Sequence, residues 1–197
     1  MQNQVIEFLA NNIDHVIKGI IGLLFFIYGI YRPFRVRFIL KRSEETDPIW
    51  KNNVLLCAAE KAFYLIHESL AKRDSAVIGD FVTDHMFKLQ QREIDELIAN
   101  KQLYKYASIK ISKMDIIGCE NYKDNVGDNY SVNIIGEMIS YITDESKNEF
   151  IHSHPSNLRR FNCILDFYRD SDGWYLHDFF EDCTEDDITV SGLYLEN

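Results

Sequence analysis

PIWKNNVLLCAAEKAFYLIHESLAKRD, residues 48–74, decides how the chain is read. Leu55, Ala59, Ala62, Ile66 and Leu70 recur at steps of three and four, which puts them on one face of a helix. Asp47 suits the cap and Pro48 the first turn, and the helix should run about 25 residues to Asp74. A short helical piece, SAVIGDFV, follows. Thr83 then caps a third helix, DHMFKLQQREIDELIANK, with Met86, Leu89, Ile94, Leu97 and Ile98 facing inward.

After Asn100 the period changes. YKYASIKISKMDIIG, NYSVNIIGEMISYIT, LRRFNCILDFYRD and GWYLHDFF are rich in β-branched and aromatic residues and alternate in stretches. Polar, turn-prone segments separate them. The expected fold class is α+β: three helices packed on a curved four-stranded antiparallel sheet, in a conical body. The last two runs pair as a hairpin across Asp170-Ser171-Asp172-Gly173, where Asp tolerates the tight turn and Gly supplies positive φ. Phe161, Cys163, Leu165 and Phe167 share one face; Trp174 and Leu176 share the matching one, which leaves Asp166 and His177 on the outside.

Several residues in these segments carry a resemblance. They are Ala59, Phe63, Arg73-Asp74, Phe81-Val82-Thr83, Met86, Leu89 and the closing Gly173-Trp174-x-Leu176. Over roughly residues 48–180 the chain resembles the C-terminal domain of the 44-kilodalton subunit of the mitochondrial inner-membrane translocase. That domain belongs to the nuclear-transport-factor-2-like superfamily of conical α+β folds. The resemblance implies a membrane-associated platform that binds protein and carries no catalytic signature. The region by which the translocase subunit engages a chaperone has no counterpart here, nor is there an Arg- and Ser-rich transit peptide.

The N-terminal segment has a different character. GIIGLLFFIYGIY, residues 19–31, is uncharged, and extension back to Ile13 brings it near the length that spans a bilayer. Ile20, Leu23, Leu24, Phe25, Phe26, Ile27 and Tyr28 form the expected anchor. Arg32, Arg35, Arg37, Lys41 and Arg42 follow it, which by the positive-inside rule keeps that flank cytoplasmic. The expectation is a single-pass anchor in an inner, cytoplasmic membrane; a basic interfacial helix or a buried soluble helix would also fit. The organisation is then 1–45 anchor and basic flank, 46–182 body, and 183–197 acidic tail.

Charge divides along the same line. The whole chain is at −10, residues 1–42 at +4 and the remainder at −14. A body this acidic repels nucleic acid and attracts a basic protein surface. Asp178, Phe179, Phe180, Glu181, Asp182, Glu185, Asp186 and Asp187 form the expected docking edge, with aromatics for contact and carboxylates to steer approach.

Motifs for chemistry are weak. The four cysteines form no CxxC pair, and Cys57 and Cys163, in apolar runs, read as buried thiols. His152-Ser153-His154-Pro155 resembles the metal-binding signature of zinc-dependent deubiquitinating proteases, but that signature's serine and aspartate positions hold Asn162 and Leu165. No phosphate loop or nucleophile elbow is present. His177 with Asp166 or Asp178 could form an acid–base pair, although the hairpin parity places His177 and Asp166 outside. His67 and His85 read as partly exposed helix residues. No catalytic residue, metal or cofactor is expected. The functional expectation is a non-enzymatic, membrane-tethered protein-binding domain. The alternatives are an immunity protein that neutralises a secreted toxin, or a small-molecule enzyme or carrier using a pocket near His67, Tyr104 or Asp166.

Overall fold

The computed structural model describes residues 17–18, 20, 22–23, 31–147, 149–152, 157–170, 173–184 and 193–195. It divides into two compact units, Met1–Phe38 and Ile39–Asn197. In the first, the described residues of 17–23 are helical, with Ile17, Ile20 and Leu23 exposed. Leu24, Phe25, Phe26, Ile27 and Tyr28 lie outside the described residues. Among the described residues no helix is long and apolar enough to cross a membrane.

Residues 31–46 are helical (α1), and Ile39, Leu40 and Ser43 of the second unit are buried. Asp47 caps the chain as expected, its Oδ1 accepting from the Ile49 N–H at 3.1 Å. What it caps is a single 3₁₀ turn, Pro48–Trp50, rather than the long helix itself. Helix α2 begins after that turn and covers Asn52–Lys72. All five residues of its expected inner face are buried, joined by Phe63 and His67. Cys57, by contrast, is exposed: it sits on the far side of α2, where an apolar neighbourhood in sequence is not one in space.

Arg73 ends α2 in the left-handed region at φ 54°, and the N–H of Asp74 returns to the Ser69 carbonyl. Its guanidinium donates to the Gln102 carbonyl and pairs with Glu145 at 3.2 Å, which ties the end of α2 to the start of the sheet. Asp74 caps the 3₁₀ segment Ser75–Phe81, and Thr83 caps α3, Asp84–Ala99. On α3 the buried stripe is Met86, Gln90, Ile94 and Leu97, whereas Leu89 and Ile98 are exposed. The stripe is narrower than expected because it runs through a glutamine. Gln90 is tolerated there since its amide donates to Ser69 Oγ at 3.0 Å and to the Ile66 carbonyl.

The four expected strands are present as β1 Gln102–Asn121, β2 Asn129–Asp144, β4 Arg159–Asp170 and β5 Gly173–Phe180. Two three-residue strands enlarge the sheet to six: β3 Phe150–His152 beside β2, and β6 Leu193–Leu195 beside β1. The main order is β5-β4-β2-β1-β6, antiparallel except for the β1–β6 pair. The parallel strand was not legible, because nothing in its three residues marks a partner so distant in sequence. Register shifts near Ala107, Ser112 and Ile117 interrupt the β1–β2 ladder, and each such bulge adds local twist.

The inner face of the β4–β5 hairpin is as expected, with Phe161, Cys163, Leu165, Phe167 and Leu176 all buried. Helix α2 packs there. Phe63 stacks on Phe161 at 5.1 Å between ring centres, and Tyr130 donates to the Leu55 carbonyl at 3.2 Å. Gly136 of β2 permits this approach. A side chain at that position would collide with the Lys110 carbonyl oxygen and the Phe161 ring. Gly136→Ala should therefore destabilise the domain by about 2 kcal/mol, the cost of overpacking. Urea denaturation of the variant and its parent would check this, and equal midpoints would refute it.

Candidate functional site

The lower end of β5 gathers most of the expected docking residues. Alternation along β5 breaks between Leu176 and Asp178: Leu176 pairs with Phe167, and Asp178 pairs with Asp166, so His177 is the extra residue of a bulge. The bulge resets the parity. Asp178 follows Asp166 to the outer face instead of alternating with His177, and Phe179 turns inward. The aromatic pair thus divides. Phe179 meets Phe63 and His67, at 6.3 and 6.4 Å between ring centres, while Phe180 is exposed.

Glu181 and Asp182 follow, both exposed. Arg159 lies 4.0 Å from Glu181. The Glu181 carboxyl is held above its ordinary range, first by partial desolvation and also by Asp182, against the pull of Arg159. Glu93 of α3 is raised in the same way, by partial desolvation and then by Glu181 and Glu96. Glu93 and Glu96 therefore extend the acidic edge on to the helix. The sequence reading missed them because the nearness of Glu93 to Glu181 depends on how α3 lies against the end of β5, and Glu96 joins only through Glu93. Glu185, Asp186 and Asp187 lie outside the described residues.

Among the basic residues, Arg37, Lys41 and Arg42 are exposed, Arg35 is half-buried and Arg32 is buried. Arg42 pairs with Glu45 at 3.5 Å, one turn along α1. The row is therefore not uniformly presented to solvent, because a helix winds successive arginines around its axis.

The histidines depart most from expectation. His67 is fully buried. Its Nδ1 and the Tyr104 hydroxyl are hydrogen-bonded at 2.8 Å, and among the described residues its Nε2 has no partner. Burial, with Arg159 adding to it, lowers the imidazole pKa from 6.5 to about 4. Burial also raises the Tyr104 phenol to about 12. The recess beside His67 is lined by Phe63, Met138, Arg159, Phe161 and Phe179 and has a volume of about 10 Å³. That is the space of a single water, too small for a metabolite. His177 and Asp178 stand outside this recess, beside His85 at the start of α3. Asp166 is half-buried, and burial followed by Asp178 raises its carboxyl. Of the HSHP motif, only the backbone of His152 is described.

A model of the Tim44-like domain matches residues 37–180, so the chain belongs to the Tim44-like domain family. Among solved structures, the intermembrane-space region of the chloroplast protein ARC6 is similar at 10% identity. The match covers 64% of this chain and 95% of that one, with a TM-score of 0.44. A de novo designed β-sheet protein is also similar, at 10% identity, with 65% and 88% covered and a TM-score of 0.35. Comparison with curated protein sequences finds no match. The family residues named from sequence have structural roles: Arg73 closes α2, Asp74 and Thr83 are caps, and Trp174 and Leu176 enter the core.

His67 has a measurable consequence. Its folded pKa lies below the unfolded value, so the unfolded chain binds a proton that the folded chain refuses between those two values. Stability contributed by the neutral imidazole is full above about pH 6.5 and falls as pH drops toward about 4, by up to ~3 kcal/mol. His67→Gln should flatten that acid limb. Unfolding midpoints at several pH values across this window would show it, and an unchanged slope would count against a buried neutral His67.

Proposed function

We propose that this chain is a non-enzymatic protein-binding domain that holds a protein partner at the cytoplasmic face of a membrane. The observation that carries this reading is the family match across residues 37–180, which covers both the helical layer and the sheet. The translocase subunit that the sequence resembles acts at a membrane and binds protein, and a role in protein translocation follows by analogy. Most residues of this family pattern serve here as caps and core, Leu89 being the exposed exception.

The acidic edge supplies the binding chemistry. Phe180 offers exposed aromatic area, Glu181 and Asp182 follow it directly in the chain, and Glu93 adds negative charge beside Glu181 from α3. Such an arrangement steers a basic surface and gives it an apolar point of contact. The N-terminal apolar stretch and its arginines would hold the domain at anionic lipid, by spanning the bilayer or by lying in the interface. Toxin neutralisation would use the same edge, but family membership favours a partner at a membrane. The single-water recess beside His67 disfavours a small-molecule site at that position.

Two measurements test the reading. Flotation with vesicles containing anionic lipid should recover the full chain and lose the chain lacking residues 1–42. Affinity capture from cells, with and without those residues, should return a basic protein partner whose binding falls severalfold in Glu93→Lys/Glu181→Lys at low salt. A partner retained undiminished by the charge-reversed variant would remove the acidic edge from the proposal.

A further inference from the structure

The bulge in β5 does more than turn Phe179 inward. It brings His177 and Asp178 to the outer side of the strand, beside the N-terminus of α3. That helix is fixed there by the backbone: Val82 bridges to Leu176, and the Thr83 N–H donates to the Leu176 carbonyl at 2.9 Å. His85, in the first turn of α3, is thereby delivered next to the bulge. Its Nε2 lies 3.4 Å from Asp178 Oδ1, and His177 Nε2 lies 3.8 Å from Asp178 Oδ2. The three ligating atoms all fall within 4.8 Å of one another.

We propose that His85, His177 and Asp178 form a binding site for a zinc-like divalent transition metal, which clips the start of α3 to β5. Two nitrogens and a carboxylate oxygen are a common donor set for zinc, and ligands about 2.0–2.1 Å from a tetrahedral ion stand roughly 3.3 Å apart. The two histidine–carboxylate separations, 3.4 and 3.8 Å, run to the two oxygens of Asp178 and lie near that value, and the remaining pair falls within 4.8 Å, a gap that a small ring rotation closes. His85 is about half exposed, with its side chain at 53%, so its ring can turn to complete the set.

Orientation supports the proposal. Thr83 Oγ1 hydrogen-bonds His177 Nδ1 at 3.1 Å and leaves Nε2 for the ion, the arrangement in which metal-bound histidines are normally held. The Tyr168 ring packs against His177 at 4.5 Å and limits its swing. Charge favours a cation as well. Asp166 faces Asp178 directly across the β4–β5 ladder, and among the described residues its buried Oδ1 has no hydrogen-bond partner. Two carboxylates opposite each other repel, and a cation beside them relieves this. Asp84, in the same first turn, adds a further negative charge. The α3 N-terminus opposes a cation, but its partial charge is about half a unit, against three carboxylates. With His85 exposed, a fourth coordination position would be left to water or to a side chain of a partner.

The site lies apart from the recess at His67 and does not depend on the proposed partner binding. Metal-depleted full chain would be titrated with Zn²⁺, and with Co²⁺ as a spectroscopic reporter of tetrahedral coordination. The expected result is one ion per chain, tetrahedral Co²⁺ absorption and a Tm that rises with Zn²⁺ concentration. His85→Gln, at an exposed position, should fold normally and bind roughly tenfold or more weakly, as should Asp178→Asn. His152→Gln/His154→Gln should bind as the parent does. Absence of Zn²⁺ uptake, uptake unchanged in His85→Gln, or loss confined to the His152/His154 variant would each overturn the proposal.

Discussion

The second unit is organised around an aromatic junction braced by one arginine. Trp50, from the 3₁₀ turn before α2, meets Trp174 of β5 edge-on at 4.8 Å; Trp174 meets Tyr130 of β2 at the same distance; Tyr130 stacks on Phe167 of β4 at 4.7 Å. Beside them Arg169 pairs with Asp47 at 2.6 Å and with the fully buried Asp128 at 3.1 Å. Asp47 thus holds both the helical cap and the sheet. Asp128 also accepts from the Tyr122 N–H at 2.7 Å, which closes the turn between β1 and β2. Helical layer, β1–β2 turn and β4–β5 hairpin are registered at this point. Aromatic pairs add about 0.5–1.5 kcal/mol each beyond the area they bury. A buried carboxylate, in turn, is tolerated only when paired and hydrogen-bonded, as Asp128 is.

From that junction the hairpin extends to a less regular end, and the bulge at His177 decides what is found there. Had β5 alternated without interruption, Asp178 would have faced the core and Phe179 the solvent. The extra residue reverses both. It gives the recess an aromatic wall, exposes the acidic edge and places an imidazole beside α3. Bulges commonly re-aim side chains near functional surfaces. Here one bulge separates three environments within four residues: buried aromatic, exposed aromatic and outward-facing histidine–carboxylate cluster.

The two histidine environments differ in kind. His67 is enclosed among Phe63, Tyr104 and Phe179, so desolvation dominates and the ring stays neutral. His85 and His177, with rings 5.0 Å apart, border solvent and share a carboxylate. A residue type with one ordinary pKa near neutrality therefore serves as a core element in one place and as a candidate ligand in another.

Periodicity alone determined the helical face of α2, the order of three helices before the sheet, and the inner face of the β4–β5 hairpin as far as Leu176. Those features follow from local geometry, in which every third or fourth residue, or every second, shares an environment. The resemblance in Phe81-Val82-Thr83 and Gly173-Trp174-x-Leu176 led to the family because caps and core positions are tied to short stretches of chain. Tertiary structure decided the rest. Leu89 gave way to Gln90 on α3, since only the facing Ser69 and Ile66 could satisfy an amide there. The bulge at His177, the nearness of Glu93 to Glu181, and the meeting of His85 with Asp178 join residues far apart in sequence. A bulge leaves no period to read, and no local pattern records which side chain a strand will face across a helix N-terminus. Such contacts are set by packing over the whole domain.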